Sequence, residues 1–197
     1  MHLDNYRIIF IVGGLISILL FSWPAINLLI KPPTGQAFSE LYILGPSFTF
    51  DNIPFNIRSG ETYSIYLNMN NQMGSSSYYT CAVKLGNSTS LLPNATLGLP
   101  SPLPPLYQFK SFIGDNGYFQ TPLIFSVNNL TFSHGVSHLS GITINGKNYS
   151  IDETSVWNPD ERGHYYQLIV ELWIFNSSLD TLEFHNRSVH LTLNMTG

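Results

Sequence analysis

An unbroken apolar run at the start of the chain constrains this sequence more than any other feature. The 23 residues from Ile8 to Ile30 carry no charge, and a polar, proline-broken sequence begins at Lys31. About 20 apolar residues in a helix, at 1.5 Å each, cross a bilayer core of about 30 Å. The run therefore predicts one transmembrane helix over 8–30, preceded by a short cytoplasmic segment at 1–7.

A cleaved signal peptide is the alternative interpretation of this run. Signal peptides have an apolar region of about 7 to 15 residues, followed by small residues at the cleavage site. The run over 8–30 is longer and has Trp23 and Pro24 near its end, which favours a retained anchor. Arg7 before the run and Lys31 after it barely favour a cytoplasmic N-terminus.

Potential N-glycosylation sites give a stronger indication of orientation, because they all follow the apolar run. This modification occurs at Asn-x-Ser/Thr on the extracytoplasmic side of a membrane. The sequence therefore predicts a single-pass protein of the cell membrane, with an extracytoplasmic C-terminal domain that carries N-linked glycans. The seven acceptors are Asn87, Asn94, Asn129, Asn148, Asn176, Asn186 and Asn194.

The remainder of the chain has the size of one domain, with a proline-containing linker at 31–37 and the domain itself at 38–197. Charged residues make up 10% of the sequence and the net charge is −4, against about 25% charged residues in typical soluble domains. No basic patch is available for nucleic acid, which is therefore excluded as a partner. Cys81 is the only cysteine, so no disulfide can form within the chain.

Alternating apolar and polar residues predict strands at several places in the domain. Two such segments, 61–70 and 79–85, are predicted to pair as antiparallel neighbours across a polar connection. Asn145-Gly146 predicts a tight hairpin, because these residues readily adopt positive φ angles, and Gly114–Gly117 predicts a second one. The alternating positions are Tyr63, Ile65, Leu67 and Met69; Tyr79, Cys81, Val83 and Leu85; and Val189, Leu191 and Leu193.

The segment from His164 to Phe175 is apolar on both faces and predicts a central strand covered on each side. Five prolines between Leu91 and Leu106 exclude a helix or a central strand there and predict an extended crossover. About eight strands with these turns predict an all-β fold, an immunoglobulin-like antiparallel β-sandwich after the transmembrane helix.

No group of residues in the sequence identifies a reaction, so we expect a non-enzymatic protein without a cofactor. His134 and His138 would lie about 13 Å apart along a strand, too far to share a metal ion, and His185 and His190 would face opposite sides of one. Cys81 is in phase with core residues and is expected to be buried. The acidic residues Asp152, Glu153, Asp160 and Glu161 are weak candidates for a calcium site, because their spacing matches no calcium-binding loop.

Adjacent tyrosines predict exposed aromatic platforms, because neighbouring residues of a strand point to opposite faces. Tyr78, and one of Tyr165 and Tyr166, are the candidates. Such rings suit a sugar or a partner chain.

Several ordered motifs of the domain resemble an archaeal membrane-protein family, catalogued as domain of unknown function 1616. The resemblance covers residues 38–196 and implies an archaeal, membrane-associated, extracytoplasmic β domain. It implies no catalytic residue, and members of the family often have several N-terminal membrane helices where this chain has one. The motifs are Phe38–Pro46, Ile53–Thr62, Gly74–Tyr79, Pro100–Tyr107, Glu171–Asn176 and Phe184–Arg187.

These observations together predict a membrane-anchored surface protein whose glycosylated β-sandwich binds envelope proteins or polysaccharide, or another subunit in the membrane. An accessory subunit of a membrane enzyme or glycan-processing complex, with Gly13 and Gly14 packed among partner helices, is the second hypothesis. A metal-dependent hydrolase that gathers histidines from distant segments is the third.

Overall fold

The computed structural model describes residues 3–29, 37–87 and 92–197 and, within the first of these ranges, the side chains of Tyr6 and of 9–23. The first range forms one helix, α1, which runs from Leu3 to Leu29. A separate compact unit extends from Ala37 to Gly197. Most of the predicted linker at 31–37 lies outside the described residues.

Within the described ranges, no helix meets the length and hydropathy required to cross a bilayer. The transmembrane helix expected over 8–30 is therefore not supported by the structure and stays a prediction.

In its described residues, 37–87 and 92–197, the compact unit has ten strands that form two five-stranded sheets. The first sheet has the strand order β1-β3-β6-β7-β8 and the second the order β2-β10-β9-β4-β5. All neighbouring strands are antiparallel except β2 and β10, which are parallel. The strands are β1 (Phe38–Leu44), β2 (Asn56–Arg58), β3 (Thr62–Gln72), β4 (Ser77–Gly86), β5 (Tyr107–Ile113), β6 (Tyr118–Ser133), β7 (Val136–Ile144), β8 (Lys147–Val156), β9 (His164–Asn176) and β10 (Thr181–Thr196).

One hydrophobic core lies between the sheets and contains the inward-facing side chains of both. The alternation read from the sequence is confirmed: Ile65, Leu67 and Met69 of β3 are buried in this core, as are Cys81 and Val83 of β4. Because a strand presents every second side chain to one face, two half-apolar sheets can bury all these residues in a single layer. The prediction of an all-β sandwich is confirmed.

Strand β9 occupies the centre of the second sheet, between β10 and β4, as its continuous apolar sequence predicts. Its inward face joins the core, and its outward face is also buried over much of its length, for instance at Ile169 and Glu171.

Two predicted strand pairings are wrong. Strands β3 and β4 belong to different sheets, and so do β5 and β6 across Gly114–Gly117. Alternation reports which face of a strand is buried, whereas the partner strand depends on how the chain turns at its end. Asn71 holds the two sheet-crossing connections together, because its side-chain nitrogen donates to the carbonyl oxygens of Ser75, Ile113 and Gly114.

Two tight hairpins build the meander from β6 to β8. The predicted Asn145-Gly146 turn joins β7 to β8, and both residues have positive φ, 46° and 78°. His134 and Gly135 join β6 to β7 in the same way, with φ of 50° and 76°. This conformation matches the right-handed twist of the paired strands.

The proline-rich segment forms no strand in its described part, residues 92–106, which we call the proline strap. It leads from β4 to β5, which are adjacent antiparallel strands of the second sheet. Ser101 in the strap is buried and bonds to Lys84 of β4 and Glu171 of β9. The strap thus lies against the outer face of the second sheet, which explains why β4 is buried on both faces.

Candidate functional site

The histidines considered as metal ligands lie in separate surroundings. His134 is exposed in the β6–β7 turn, and His138 on β7 pairs with Asp152, its Nε2 lying 2.8 Å from the Asp152 Oδ1. His185 is half-buried and its Nε2 lies 3.0 Å from the Ser39 Oγ, whereas His190 is exposed on β10. Among the described residues, no three His, Cys, Asp or Glu side chains form a group that could hold a metal ion.

The four acidic residues also do not converge. Asp152 is exposed beside His138, and the adjacent Glu153 is half-buried; burial and the charge of Asp152 raise the pKa of the Glu153 carboxyl. Asp160 and Glu161 lie in the exposed turn between β8 and β9, where their backbone N–H groups donate to the side-chain oxygen of Asn158.

Cys81 is a core residue, as predicted, and is fully buried. Burial raises the pKa of its thiol to about 12, and its Sγ lies 3.0 Å from the Met69 Sδ. A thiol that stays protonated and shielded from solvent is a poor nucleophile.

Of the tyrosines at 165 and 166, one is buried and the other points away from the core, as alternation predicts, but neither Tyr165 nor Tyr78 is fully exposed. Tyr166 is fully buried, and its hydroxyl lies 2.9 Å from the Ser137 Oγ. Tyr165 is half-buried with its hydroxyl donated to the Glu161 carbonyl, and Tyr78 is half-buried as well.

A different group of aromatic side chains lies on the outer face of the first sheet, where two half-buried tyrosines meet two exposed phenylalanines. We call it the aromatic patch: Tyr42, Phe48, Phe50 and Tyr66. The Phe48 and Tyr66 ring centroids lie 4.2 Å apart, and those of Tyr42 and Phe50 lie 6.3 Å apart. Phe48 is 53% exposed and Phe50 is 72% exposed. Two rings from a loop therefore extend the two rings of the sheet into a larger apolar surface.

The loop from 45 to 52 holds these two phenylalanines in an unusual conformation. The Phe48 N–H donates to the carbonyl of Gly45 at 3.0 Å, and Phe48 has a φ of 61°. A left-handed conformation is costly for a bulky residue and marks a site where the surroundings hold the strain, often for function. Gly45 is required here, since a Cβ on it would collide with the carbonyl oxygen of Asp51.

Amide side chains continue the outer face of the first sheet beside the aromatic patch. Gln120 donates to the Asn68 side-chain oxygen at 2.7 Å, and Asn70 donates to Glu40 at 2.6 Å. The Glu40 carboxylate therefore already accepts a hydrogen bond from an amide within the chain. Flat rings next to uncharged donors and acceptors can stack on a ligand and hydrogen-bond to it, but they supply no nucleophile or general base.

The aromatic patch is not predicted from the sequence, because alternation indicates the exposed residues of strands and gives no indication for phenylalanines in a loop. The available signal is Phe48-Thr49-Phe50, which follows Gly45-Pro46 after one residue, Ser47. A Gly-Pro pair marks a turn, and large apolar residues in a turn have no sheet in which to be buried. Their stacking on Tyr42 and Tyr66 depends on the tertiary structure.

Comparisons with known proteins identify no family for this chain. Neither a protein-family model nor a curated protein matches the sequence. Among solved structures, the CARDB domain of a Pyrococcus furiosus protein in complex with di-metal ions matches with a TM-score of 0.39 and 7% identity, over 81% of this chain and 93% of that one.

Two other matches have similar scores. A Listeria innocua β-glucosidase mutant in complex with laminaribiose has a TM-score of 0.39 and 10% identity, over 82% of this chain and only 16% of the enzyme. The PapD-like domain 7 of human CEP192 has a TM-score of 0.34 and 10% identity, over 85% of this chain and 92% of that domain. Scores this low support no transfer of function.

Proposed function

We propose that this chain is a non-enzymatic surface protein whose β-sandwich binds a neutral polysaccharide through the aromatic patch. The observation that supports this most is the exposure of the neighbouring side chains of Phe48 and Phe50 on one loop. Exposed aromatic residues on a shaped loop are typical of binding surfaces.

The chemistry around the patch favours an uncharged ligand. Arg and Lys are the groups that hold anionic ligands, and neither type is among the neighbours of the patch on the first sheet that the structure describes. These neighbours are the exposed amide of Gln120, the buried amide of Asn68, and Asn70 with its partner Glu40. The apolar faces of sugar rings stack on aromatic rings, while their hydroxyls bond to amides. A neutral polysaccharide offers both contacts.

The proposed location follows from the sequence. An apolar anchor over 8–30 would hold the chain in the membrane of an archaeal cell, in keeping with the resemblance to domain of unknown function 1616, and would present the sandwich outside. In this proposal, glycans cover the polar surface and leave the aromatic patch bare.

The immunoglobulin-like assignment is part of the same proposal. The order β10-β9-β4-β5 in the second sheet and the crossing from β3 to β4 between sheets support it. The meander β6-β7-β8 in the first sheet would be a variation on that plan.

Replacing the patch phenylalanines tests the proposal. We expect the purified full-length chain in detergent to be retarded in gels that contain a neutral glucan or mannan. Phe50→Ala should weaken this binding by about tenfold or more, because a ring buried against a ligand contributes about 1.5–3 kcal/mol. Phe48→Gly should weaken it similarly while changing the free energy of unfolding by less than about 1 kcal/mol, since glycine relieves the positive φ as the ring contact is lost.

Phe112→Ala is the matched control, because Phe112 is 70% exposed but lies on β5 in the other sheet. It should bind like the unmodified chain. Equal loss in all three variants, or no retardation of the unmodified chain by any neutral polysaccharide, would contradict the proposal.

A further inference from the structure

A pocket of about 340 Å³ lies beside the proline strap on the outer face of the second sheet. Its walls are mostly apolar: Ala82 of β4, Trp173 of β9 and Leu182 of β10 face Pro100 and Pro105 of the strap. The pocket is on the opposite sheet from the aromatic patch, so it is independent of the polysaccharide proposal.

The charges in the pocket wall are already neutralised. The Lys84 Nζ lies 2.8 Å from the Glu171 Oε2 and donates to the Ser101 carbonyl at 2.7 Å. The Glu171 Oε1 accepts the Ser101 N–H at 2.5 Å, and its Oε2 also accepts the Trp173 Nε1–H at 3.1 Å. A ligand would therefore meet no free charge from this pair, which excludes electrostatic selection of an ion.

The wall has two further polar side chains, the exposed amide of Gln108 and the buried hydroxyl of Thr80, and the buried one has no such partner among the described residues. The Thr80 hydroxyl is buried, with the residue 1% exposed, and makes no hydrogen bond to any part of the chain that the structure describes. An unmade bond at a buried hydroxyl costs about 1–3 kcal/mol, so native proteins seldom retain one without a reason. Thr80 lines the pocket, but its hydroxyl oxygen has almost no solvent-accessible surface. A bound molecule would therefore reach this hydroxyl after the Thr80 side chain rotates about χ1 to another staggered position.

We propose that this pocket binds a small, neutral, ring-containing molecule with one hydrogen-bonding group directed at Thr80. The ring packs against Trp173 and the prolines, and the single polar group bonds to the Thr80 Oγ1. The walls offer too few polar partners for a sugar, whose many hydroxyls would remain unpaired. Phenols are the simplest molecules with this character.

The experiment compares p-cresol with toluene, which has a similar shape without the hydroxyl. Each is dialysed against the labelled full-length chain in detergent at a known free concentration, and binding is followed by the indole N–H resonance of Trp173. We expect a saturable shift with p-cresol at a midpoint on the order of 1 mM. Thr80→Val should raise the p-cresol midpoint about fivefold, the effect of losing one hydrogen bond, and leave the toluene midpoint unchanged.

Ala82→Leu provides a second variant, because it places a larger side chain in the pocket and should abolish binding of both molecules. The urea midpoint of Thr80→Val should be no lower than that of the unmodified chain, since this variant removes a hydroxyl that has no hydrogen-bond partner among the described residues. The proposal is overturned by the absence of a saturable Trp173 shift, by a Thr80→Val effect that is the same for both ligands, or by binding that persists in a folded Ala82→Leu variant.

Discussion

At the scale of single residues, a buried polar cluster connects the two sheets at one edge of the sandwich. The Ser39 Oγ on β1 lies 2.7 Å from the Tyr79 hydroxyl of β4 and 3.0 Å from the His185 Nε2 of β10. The Tyr79 hydroxyl also donates to the side-chain oxygen of Asn71 at 3.0 Å. Because every member has a partner, burial of these groups need not cost stability.

His185 reaches this cluster through a bulge in β10. The register of β10 against β9 shifts between Phe184 and Arg187, and Asn186 in the bulge has a φ of 53°. Burial, with a smaller contribution from the charge of Arg187, lowers the pKa of the His185 imidazole below its usual value of 6.5. The fold therefore favours the neutral imidazole at this position.

This pKa shift predicts a loss of stability in mild acid. Because the pKa of His185 is lower in the folded than in the unfolded state, the unfolded chain binds more protons. The contribution of neutral His185 to the free energy of unfolding is therefore complete above about pH 6.5. It is lost as the pH falls through the pKa of the folded state. We expect the urea midpoint to decrease between pH 7.5 and 5. In His185→Gln the decrease should be smaller, whereas His190→Gln, which changes an exposed histidine, should retain the full decrease.

At the scale of secondary-structure elements, one ion pair fixes the proline strap to the second sheet. Lys84 and Glu171 are 5% and 0% exposed at their side chains, and both bond to Ser101 of the strap. Lys84 is also 5.9 Å from the ring centroid of Trp173, within the range of a cation–π contact. Lone charges within the apolar strands β4 and β9 are the sequence signal for this pair.

Removing one partner of this pair should be costly. Lys84→Met leaves the Glu171 carboxylate buried without its cation, and we expect a loss of about 3–5 kcal/mol in the free energy of unfolding, measured with urea. The double variant Lys84→Met/Glu171→Leu should lose less, because no unpaired charge remains. Lys110→Met on β5, at an exposed position, should change the free energy by less than about 0.5 kcal/mol. A double variant less stable than Lys84→Met would disprove this account.

At the scale of the whole molecule, the seven glycosylation acceptors fall into two groups. Asn94, Asn129, Asn148 and Asn186 are exposed. The other three use their side-chain nitrogen within the fold: Asn87 donates to the Thr154 carbonyl, Asn176 to Glu183 and Asn194 to Asn56. A glycan is attached through that same nitrogen and would disturb these three bonds.

Under the proposed extracytoplasmic location, we expect glycans on the four exposed acceptors and none, or far fewer, on the other three. Mass spectrometry of peptides from the native protein measures the occupancy of each asparagine. Native protein with all seven asparagines unmodified would argue against the location itself. Full occupancy of Asn194 would contradict the structural argument alone, so the two outcomes can be separated.

The sequence by itself determined where most strands lie and which of their side chains are buried. Alternation is a local property, because successive side chains of any strand point to opposite faces, and so β3, β4, β9 and the buried Cys81 could be predicted. The hairpin at Asn145 could be predicted for a similar reason: a tight turn requires positive φ angles, and Asn and Gly adopt them readily whatever the rest of the fold.

The tertiary structure alone decided which strands pair and where ligands could bind. The predicted β3–β4 and β5–β6 pairings are wrong because the chain crosses from one sheet to the other at these connections, so that both sheets enclose one core. The local alternation of apolar and polar residues does not indicate such a crossing. The aromatic patch, the Thr80 pocket and the His185 cluster each combine residues that are distant in the sequence. Their chemistry arises from distances of a few ångströms that only the packing of two sheets, a loop and a strap produces.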